Sequence, residues 1–380
     1  MYIDLQLLSP LATDDALEFI YKSAARGDRG AGIWDAHESV LIRRLIELFT
    51  KRGLDRLEHV KTQLSAWQQG KHHNPDAKPS TAPGMMVRWT DDELSLVKLY
   101  LEALPPGKWG VKDHMMAVDY VVQRYLPAEE LKTEAQWLAT RAVLMGKVQA
   151  NLDAKLVTPQ NADKILAALP STPEAAASQF DLSKQQKSAM EFAEVRAGEN
   201  VRALTDKARH QLRQTVMQQL ELAETTGQLP SLETELFDDF ASLNRDWRRI
   251  AVTEAGECQT QGFIASLKPG TKVKRVEQYE TACAFCKRIH GRVATVVAAD
   301  APDKDGETMV WPGKNNIGRS AAPRKRVGDE LVPRTEAELW HLPAGLAHPN
   351  CRGFWVAVME ILEGDDPEFG AYLQKVLSGN

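Results

Sequence analysis

Two pairs of soft-ligand residues constrain this chain more than any other feature. Cys283-Ala-Phe-Cys286 and His348-Pro-Asn-Cys351 each keep two residues between their members, and 61 residues separate the pairs. A turn of that spacing lets both side chains of a pair point at one ion, so Cys283, Cys286, His348 and Cys351 can close a tetrahedral zinc site. Any fold that uses them must bring two distant loops to one point. Closing such a loop costs roughly 4 kcal/mol, whereas structural zinc contributes roughly 10–16 kcal/mol of apparent binding energy, so the long gap is no bar. His290 is an alternate ligand, or simply caps the turn after the first pair. Four unconnected side chains are one competing reading, and a redox dithiol is the other. The dithiol requires the Cys pair to open a helix after a strand in a βαβ unit, and here a short basic segment and Gly291 follow instead.

With 380 residues the chain has room for two or three domains and a sizeable core. A net charge of −5 gives no global sign of nucleic-acid binding, but its distribution does. Between Lys268 and Arg326 there are 13 Lys/Arg against 6 Asp/Glu, a surplus of +7, which leaves −12 for the remainder. A basic module on an acidic body meets a polyanion with one face. Lys272, Lys274, Arg275, Lys287, Arg288, Arg324, Lys325 and Arg326 are the candidate phosphate contacts. Four cysteines do not make a disulfide framework. The start, Met-Tyr-Ile-Asp-Leu-Gln, lacks the basic region and apolar run of a secretory leader, and no apolar window is long enough for a membrane span. A reducing cytoplasm is the expected place of synthesis, where thiols serve as metal ligands or core residues.

Helical periodicity dominates residues 1–170. Asp14-Asp15 opens one helix, which Gly27 to Gly32 breaks. The apolar positions from Ser39 to Trp67 predict another, with Gly53 as a break. Gln68 to Gly84 reads as a polar linker, with His72 and His73 as a solvent-exposed pair. Thr90-Asp-Asp-Glu93 is a capping box. Further helices are predicted over Val111–Tyr125, Leu131–Leu156 and a short stretch after Thr158. Ser171 to Ser183 reads as a junction. A long helix follows from Lys184 to Thr225, interrupted at Gly198, then a stop at Gly227 and Pro230. Shorter helices are expected at Leu232–Asn244 and Trp247–Ser266. Period-2 alternation then predicts strands at 271–276, 292–297 and 354–358, around a long loop from Asp303 to Arg334, with a tail helix over 367–377. The expected architecture is mainly α. A helical N-terminal region (1–170) precedes a long-helix stalk (184–266), a small α+β module tied by the Cys/His knuckle (267–360) and a tail (361–380).

The second half has these features in an order that resembles the phage head morphogenesis family, minor head proteins similar to the Mu F protein. The resemblance covers roughly residues 185–360 and rests on a long basic helix, Arg249-Ile-Ala-Val-Thr253-Glu254, a basic strand, Cys283-x-x-Cys286 with Gly291, and His348-Pro-x-Cys351-Arg352. Arg249, Thr253, Glu254, Gly291 and Arg352 match its motifs; Val252 stands where Arg is frequent, and Gly353 where the family ends on Cys. The resemblance implies a minor capsid component that acts with portal, coat or scaffold proteins in head assembly and DNA packaging, in some cases binding DNA without sequence preference. It implies a site in the host cytoplasm during assembly and in the head interior afterwards. Thr253 and Glu254 are expected to fix the helix against the knuckle rather than to catalyse.

Enzymes are the opposing class. A zinc deaminase needs His-x-Glu upstream of Pro-Cys-x-x-Cys, and no histidine here is followed two residues later by Glu. His37-Glu38 lacks the second His of a zinc hydrolase helix, and four protein ligands leave zinc no position for water. The export domain of a phage-linked toxin is a third reading, without an effector pattern to accompany it.

Overall fold

Apolar residues at helical spacing run through most of the first 265 positions, and the chain is mainly α with a small sheet near its C-terminal end. The computed structural model describes residues 39–77, 81, 84, 88–152, 158–226, 232–279, 282–358 and 366–378. The helix expected near Asp14, its break at Gly27–Gly32, His37-Glu38 and the stop at Gly227 and Pro230 lie outside these residues.

The helices are α1 (Val40–Gln68), α2 (Asp91–Ala103), α3 (Val111–Tyr125), α4 (Ala128–Asn151), α5 (Pro159–Ala168), α6 (Pro173–Gln179), α7 (Lys184–Thr226) and α8 (Leu232–Ala265). Their starts follow local chemistry. At α2 the Thr90 backbone N–H donates to Glu93 Oε2 over 2.7 Å, while Glu93 N–H donates to the Thr90 hydroxyl over 3.3 Å. At α5 and α6 the Thr158 and Thr172 hydroxyls accept from the N–H of Asn161 and Ala175 without a reciprocal bond, each threonine followed by a proline whose missing N–H costs nothing in a first turn.

Four expectations fail, two of them because packing overrides a local signal. Gly53 does not break α1, because it is the place where the Trp247 indole lies; a Cβ there would come within 1.8 Å of the ring. Gly198 does not interrupt α7. Leu232–Asn244 and Trp247–Ser266 are one helix, α8, whose buried Leu243, Trp247 and Ala251 carry the apolar stripe through the presumed gap. The Ser171–Ser183 junction contains α6. The histidines of the polar segment after α1 are also not a free pair. His72 Nε2 meets Gln63 Oε1 at 3.1 Å with its ring against Trp67, and His73 Nδ1 meets the Glu102 carbonyl at 3.0 Å.

Two compact units emerge, each built from segments interleaved along the chain rather than in series: 50–133 with 198–247, and 39–49 with 134–197 and 248–378 among the described residues. The divisions fall inside α1, α4, α7 and α8. In the first unit Leu57, Val60, Leu64, Trp67, Leu101 and Trp247 are core residues. Asp119 is buried among them and is held by three charge-assisted bonds, from Arg209 Nε (2.8 Å), Arg209 Nη2 (2.9 Å) and Arg213 Nη1 (2.8 Å). Asp119→Ala leaves two half-buried guanidinium groups facing each other, which still reach solvent on their outer sides. The expected loss is about 2–4 kcal/mol, at the lower end for a broken buried pair. Equilibrium urea unfolding measures it; a change below about 0.5 kcal/mol, the range of an unremarkable surface substitution, contradicts it.

In the second unit the sheet has the order β3-β2-β1-β6, from Met309–Val310, Val293–Val296, Lys272–Val276 and Phe354–Ala357. β1 runs antiparallel to both β2 and β6, with Arg275 opposite Trp355, and β2 pairs parallel with β3. A short helix, α9 (Ala284–Ile289), lies between β1 and β2, and α10 (Pro367–Ser378) follows the sheet. The segment expected as one long loop, 303–334, holds β3 and a separate hairpin, β4 (Arg324–Val327) with β5 (Glu330–Pro333), which turns at Gly328 with φ +61°. The tail helix docks through Tyr372, whose hydroxyl donates to the Ala168 carbonyl over 2.7 Å, and through Phe369, edge-on to Phe180.

Candidate metal centre

β1 sets up the site by parity. Side chains at 272 and 274 point outward, and those at 273, 275 and 277 point into a core of Val273, Phe285, Ile289, Val296, Leu346 and Trp355. Arg275 is therefore a core residue, not a phosphate contact as its charge suggested. The same period-2 rule that predicts the strand puts it on the face of Val273. Its side chain is fully buried and satisfied: Nε donates to Glu277 Oε1 over 2.8 Å, Nη1 donates to the Gly345 carbonyl over 2.8 Å, and the guanidinium lies 5.5 Å from the Trp355 ring centroid.

The first Cys pair follows. Cys283 is the N-cap of α9, its sulfur accepting from Cys286 N–H, so the pair does open a helix. The redox reading nevertheless loses its scaffold, because the strands on either side, β1 and β2, are antiparallel neighbours and not a βαβ unit. Gly291 closes the helix at φ +77°, a conformation that suits glycine, and its N–H donates to the Arg275 carbonyl over 2.8 Å. His290 is exposed, and its Nδ1 accepts from Glu277 N–H at 3.0 Å. It caps the turn and does not join the Cys groups.

The second pair sits on a loop hung from α8. Thr253, Glu257 and Gln261, four residues apart on one helix face, each accept a backbone N–H from the loops above: Asn350 to the Thr253 hydroxyl (2.9 Å), Leu346 to Glu257 Oε2, and Gly313 to Gln261 Oε1 (2.9 Å). Asn350 takes φ +66°, and Arg352, buried, holds it by bonds to its carbonyl and its side-chain oxygen. Glu254, on the neighbouring face, is buried and accepts from Arg196 Nε over 2.7 Å, while Arg249 is exposed. Glu257 and Gln261 were not singled out from the sequence. Their polar i, i+4, i+8 spacing from Thr253 was the available signal.

The loops meet. His348 Nε2 lies 3.3 Å from Cys283 Sγ and 3.2 Å from Cys286 Sγ, and Cys286 Sγ lies 3.9 Å from Cys351 Sγ. Tetrahedral zinc with ordinary bond lengths sets S···S edges of about 3.8 Å and S···N edges of about 3.5 Å. His348 Nδ1 faces the Pro349 carbonyl at 2.9 Å, so the proton belongs there and the Nε2 lone pair faces the thiols, the tautomer a metal requires. Trp340 stacks on its other side, centroid to centroid 5.4 Å. All four cysteines of the chain are free. The donor set and its spacing fit a soft metal ion.

Two groups can hold such an ion among the described residues: Cys283, Cys286 and His348; and Glu277, Cys286 and Cys351. Glu277 is the member the sequence did not reveal. Its Oε2 is 3.5 Å from Cys351 Sγ, and burial pushes its carboxyl up to about 7, against the pull of Arg275. Cys351 also accepts from Tyr279 (3.5 Å) and from Gly353 N–H (3.3 Å). A side chain at 353 would place its Cβ 1.9 Å from Glu277 Oε1, which accounts for the glycine.

Of the other predicted phosphate contacts, Lys272, Lys274, Lys287, Arg288, Arg324 and Arg326 are exposed, and Lys325 pairs with Glu338. Lys314, inside the same basic stretch, is buried and donates to the Gly306 and Met309 carbonyls.

His341, near the second loop, titrates against the fold. Burial, then Lys314 and Arg319, lower its pKa from 6.5 to about 4. The unfolded chain thus binds more protons than the folded one between pH 6.5 and 4, so stability falls as pH drops through that window. The loss reaches up to about 3 kcal/mol. His341→Gln should flatten this part of the curve relative to the parent protein; parallel urea midpoints at pH 7 and pH 4.5 measure the difference, and equal slopes refute it.

No helix among the described residues is long and apolar enough to cross a membrane. Compared with family models, curated proteins and solved structures, the chain has no match.

Proposed function

We propose that this chain is a minor head protein of a phage, acting in head assembly and DNA packaging, and that its Cys/His centre is a structural zinc site. One observation carries the reading: of the residues on which the resemblance rests, Thr253, Cys283, Cys286, His348, Cys351 and Arg352 meet at one place. The Thr253 hydroxyl holds the backbone of Asn350, between His348 and Cys351, and those two side chains approach Cys286 from the other loop. Distant motifs that serve one centre form a single device for fastening a small module to a long helix. Zinc is the ion that thiolate and imidazole donors favour in such a place. The role is one of contact rather than turnover, with portal, coat or scaffold proteins as partners in the host cytoplasm and then within the head.

The exposed Lys272, Lys274, Lys287, Arg288, Arg324 and Arg326 support a second contact, with DNA, through phosphates and without sequence preference. Mass spectrometry of purified phage particles from the strain that encodes the chain tests the assignment: the chain should co-purify with capsid and portal proteins at low copy number. Its absence from both particles and procapsids refutes the head role. Retention of the full-length protein on DNA should fall steeply as salt rises; no retention even at low salt removes DNA and leaves the protein partner.

A further inference from the structure

The two donor groups at the centre have a geometry of their own. Any two faces of a single tetrahedron share an edge, that is, two ligands. Here the groups Cys283/Cys286/His348 and Glu277/Cys286/Cys351 share one member, Cys286. Cys351 does not fall within 4.8 Å of all the atoms of the first group, whereas ligands of one tetrahedral zinc stand about 3.8 Å apart or less. It lies instead 3.9 Å from Cys286 Sγ and 3.5 Å from Glu277 Oε2, distances that suit donors of a common ion. Two shapes that touch at a corner describe two neighbouring centres.

The surroundings of the second group also call for a cation. Glu277 has no side-chain exposure, and its carboxylate faces a thiol in the core. Arg275 brings one positive charge to three groups, Glu277, Cys286 and Cys351, that can each carry a negative one. Gathering acidic donors in a water-free place is costly unless charge compensates them. Arg275 Nε donates to Glu277 Oε1 and holds the carboxylate against the thiol, Oε1 at 3.7 Å and Oε2 at 3.5 Å from Cys351 Sγ, the way an outer residue orients a metal-binding carboxylate. Gly353 keeps open the space the carboxylate occupies.

We propose that the centre holds two soft divalent cations bridged by the Cys286 thiolate, one at Cys283 and His348 and the other at Cys351 and Glu277. This rests on the reading of the centre as a metal site and deepens it from a single-ion knuckle to a small cluster. Glu277 is then a ligand, and Arg275 is a positioning residue that aims it.

The test uses the full-length protein, reduced, stripped with chelator and reloaded with zinc(II) or cadmium(II), then passed over a weak chelating resin to remove loosely held ions. Elemental analysis should give two ions per chain, and cadmium NMR two resonances. Glu277→Gln should lower the count from two to one, His348→Ala should do likewise, and Cys286→Ser should retain none. One ion in the parent protein overturns the proposal while leaving the metal site standing; no ion overturns the metal reading itself. A count of two that persists in Glu277→Gln also overturns it, because the second position then does not need the carboxylate. Should Glu277→Gln fail to fold by circular dichroism, the ion count and the number of cadmium resonances of the parent protein decide alone.

Discussion

On the proposed metal-site reading, chelation should lower the stability of the C-terminal module by about 4 kcal/mol, the contribution of a ligand present at a thousandfold its Kd. Apart from the metal, its two loops are joined by the apolar cluster and by the bond from Arg275 to the Gly345 carbonyl. Its strands are four or five residues long where they are not shorter, and β3 has only two residues. Cys286 sits with no exposure at the middle of the apolar cluster that also contains Phe285, Cys351 and Trp355. Its sulfur and that of Cys351 are 3.9 Å apart, and the hydrogen bond to the Cys351 thiol, then burial, push the Cys286 pKa upward. The expected signature is a two-step unfolding curve in chelator, with the step of the unit that holds the centre moved to lower denaturant and that of the other unit unchanged. Cys286→Ser should reproduce it without chelator. A chelator-insensitive curve in a protein shown to contain metal means that the ion is not what holds the loops.

The second large effect involves no chemistry. Gly146 of α4 and Gly262 of α8 bring two helix backbones into direct contact. A Cβ on Gly262 would lie 2.2 Å from the Val143 carbonyl oxygen, and one on Gly146 would lie 2.2 Å from the Phe263 amide nitrogen. In an isolated helix, alanine is favoured over glycine by about 1 kcal/mol. At this contact the obstacle is backbone on both sides, which cannot rotate away as a side chain can. Gly262→Ala must push the helices apart by about 1 Å at a packing density that leaves no slack. That loosens Val143, Phe263 and Ile264, all buried. The net cost is expected to exceed about 4 kcal/mol, beyond ordinary overpacking, with Gly146→Ala close behind. Denaturant unfolding of soluble protein, or loss of soluble expression, reads the result. A Gly262→Ala protein as stable as its parent would show that helix propensity governs here.

The sequence by itself determined where several of the helices start and which class of fold they build. Caps and periodicity are local, and they work through bonds between residues three or four apart; the capping box at Thr90 and Glu93 and the helix over Val111–Tyr125 needed nothing else. It also named three of the thiol and imidazole donors of one group and the fourth, Cys351, beside them, because such residues are rare and their spacing is legible. Tertiary structure decided everything that depends on which face meets which. Gly53 reads as a break until an indole is laid upon it, and residues 232–265 read as two helices until a core runs along them. Arg275 carries a charge that suggests solvent, yet strand parity and a buried carboxylate, two residues away in sequence, put it inside. Glu277 is the clearest case. A carboxylate becomes a candidate ligand only when the fold removes water around it and places thiols from segments 286 and 351 within reach, and neither desolvation nor that meeting has a local trace in the chain.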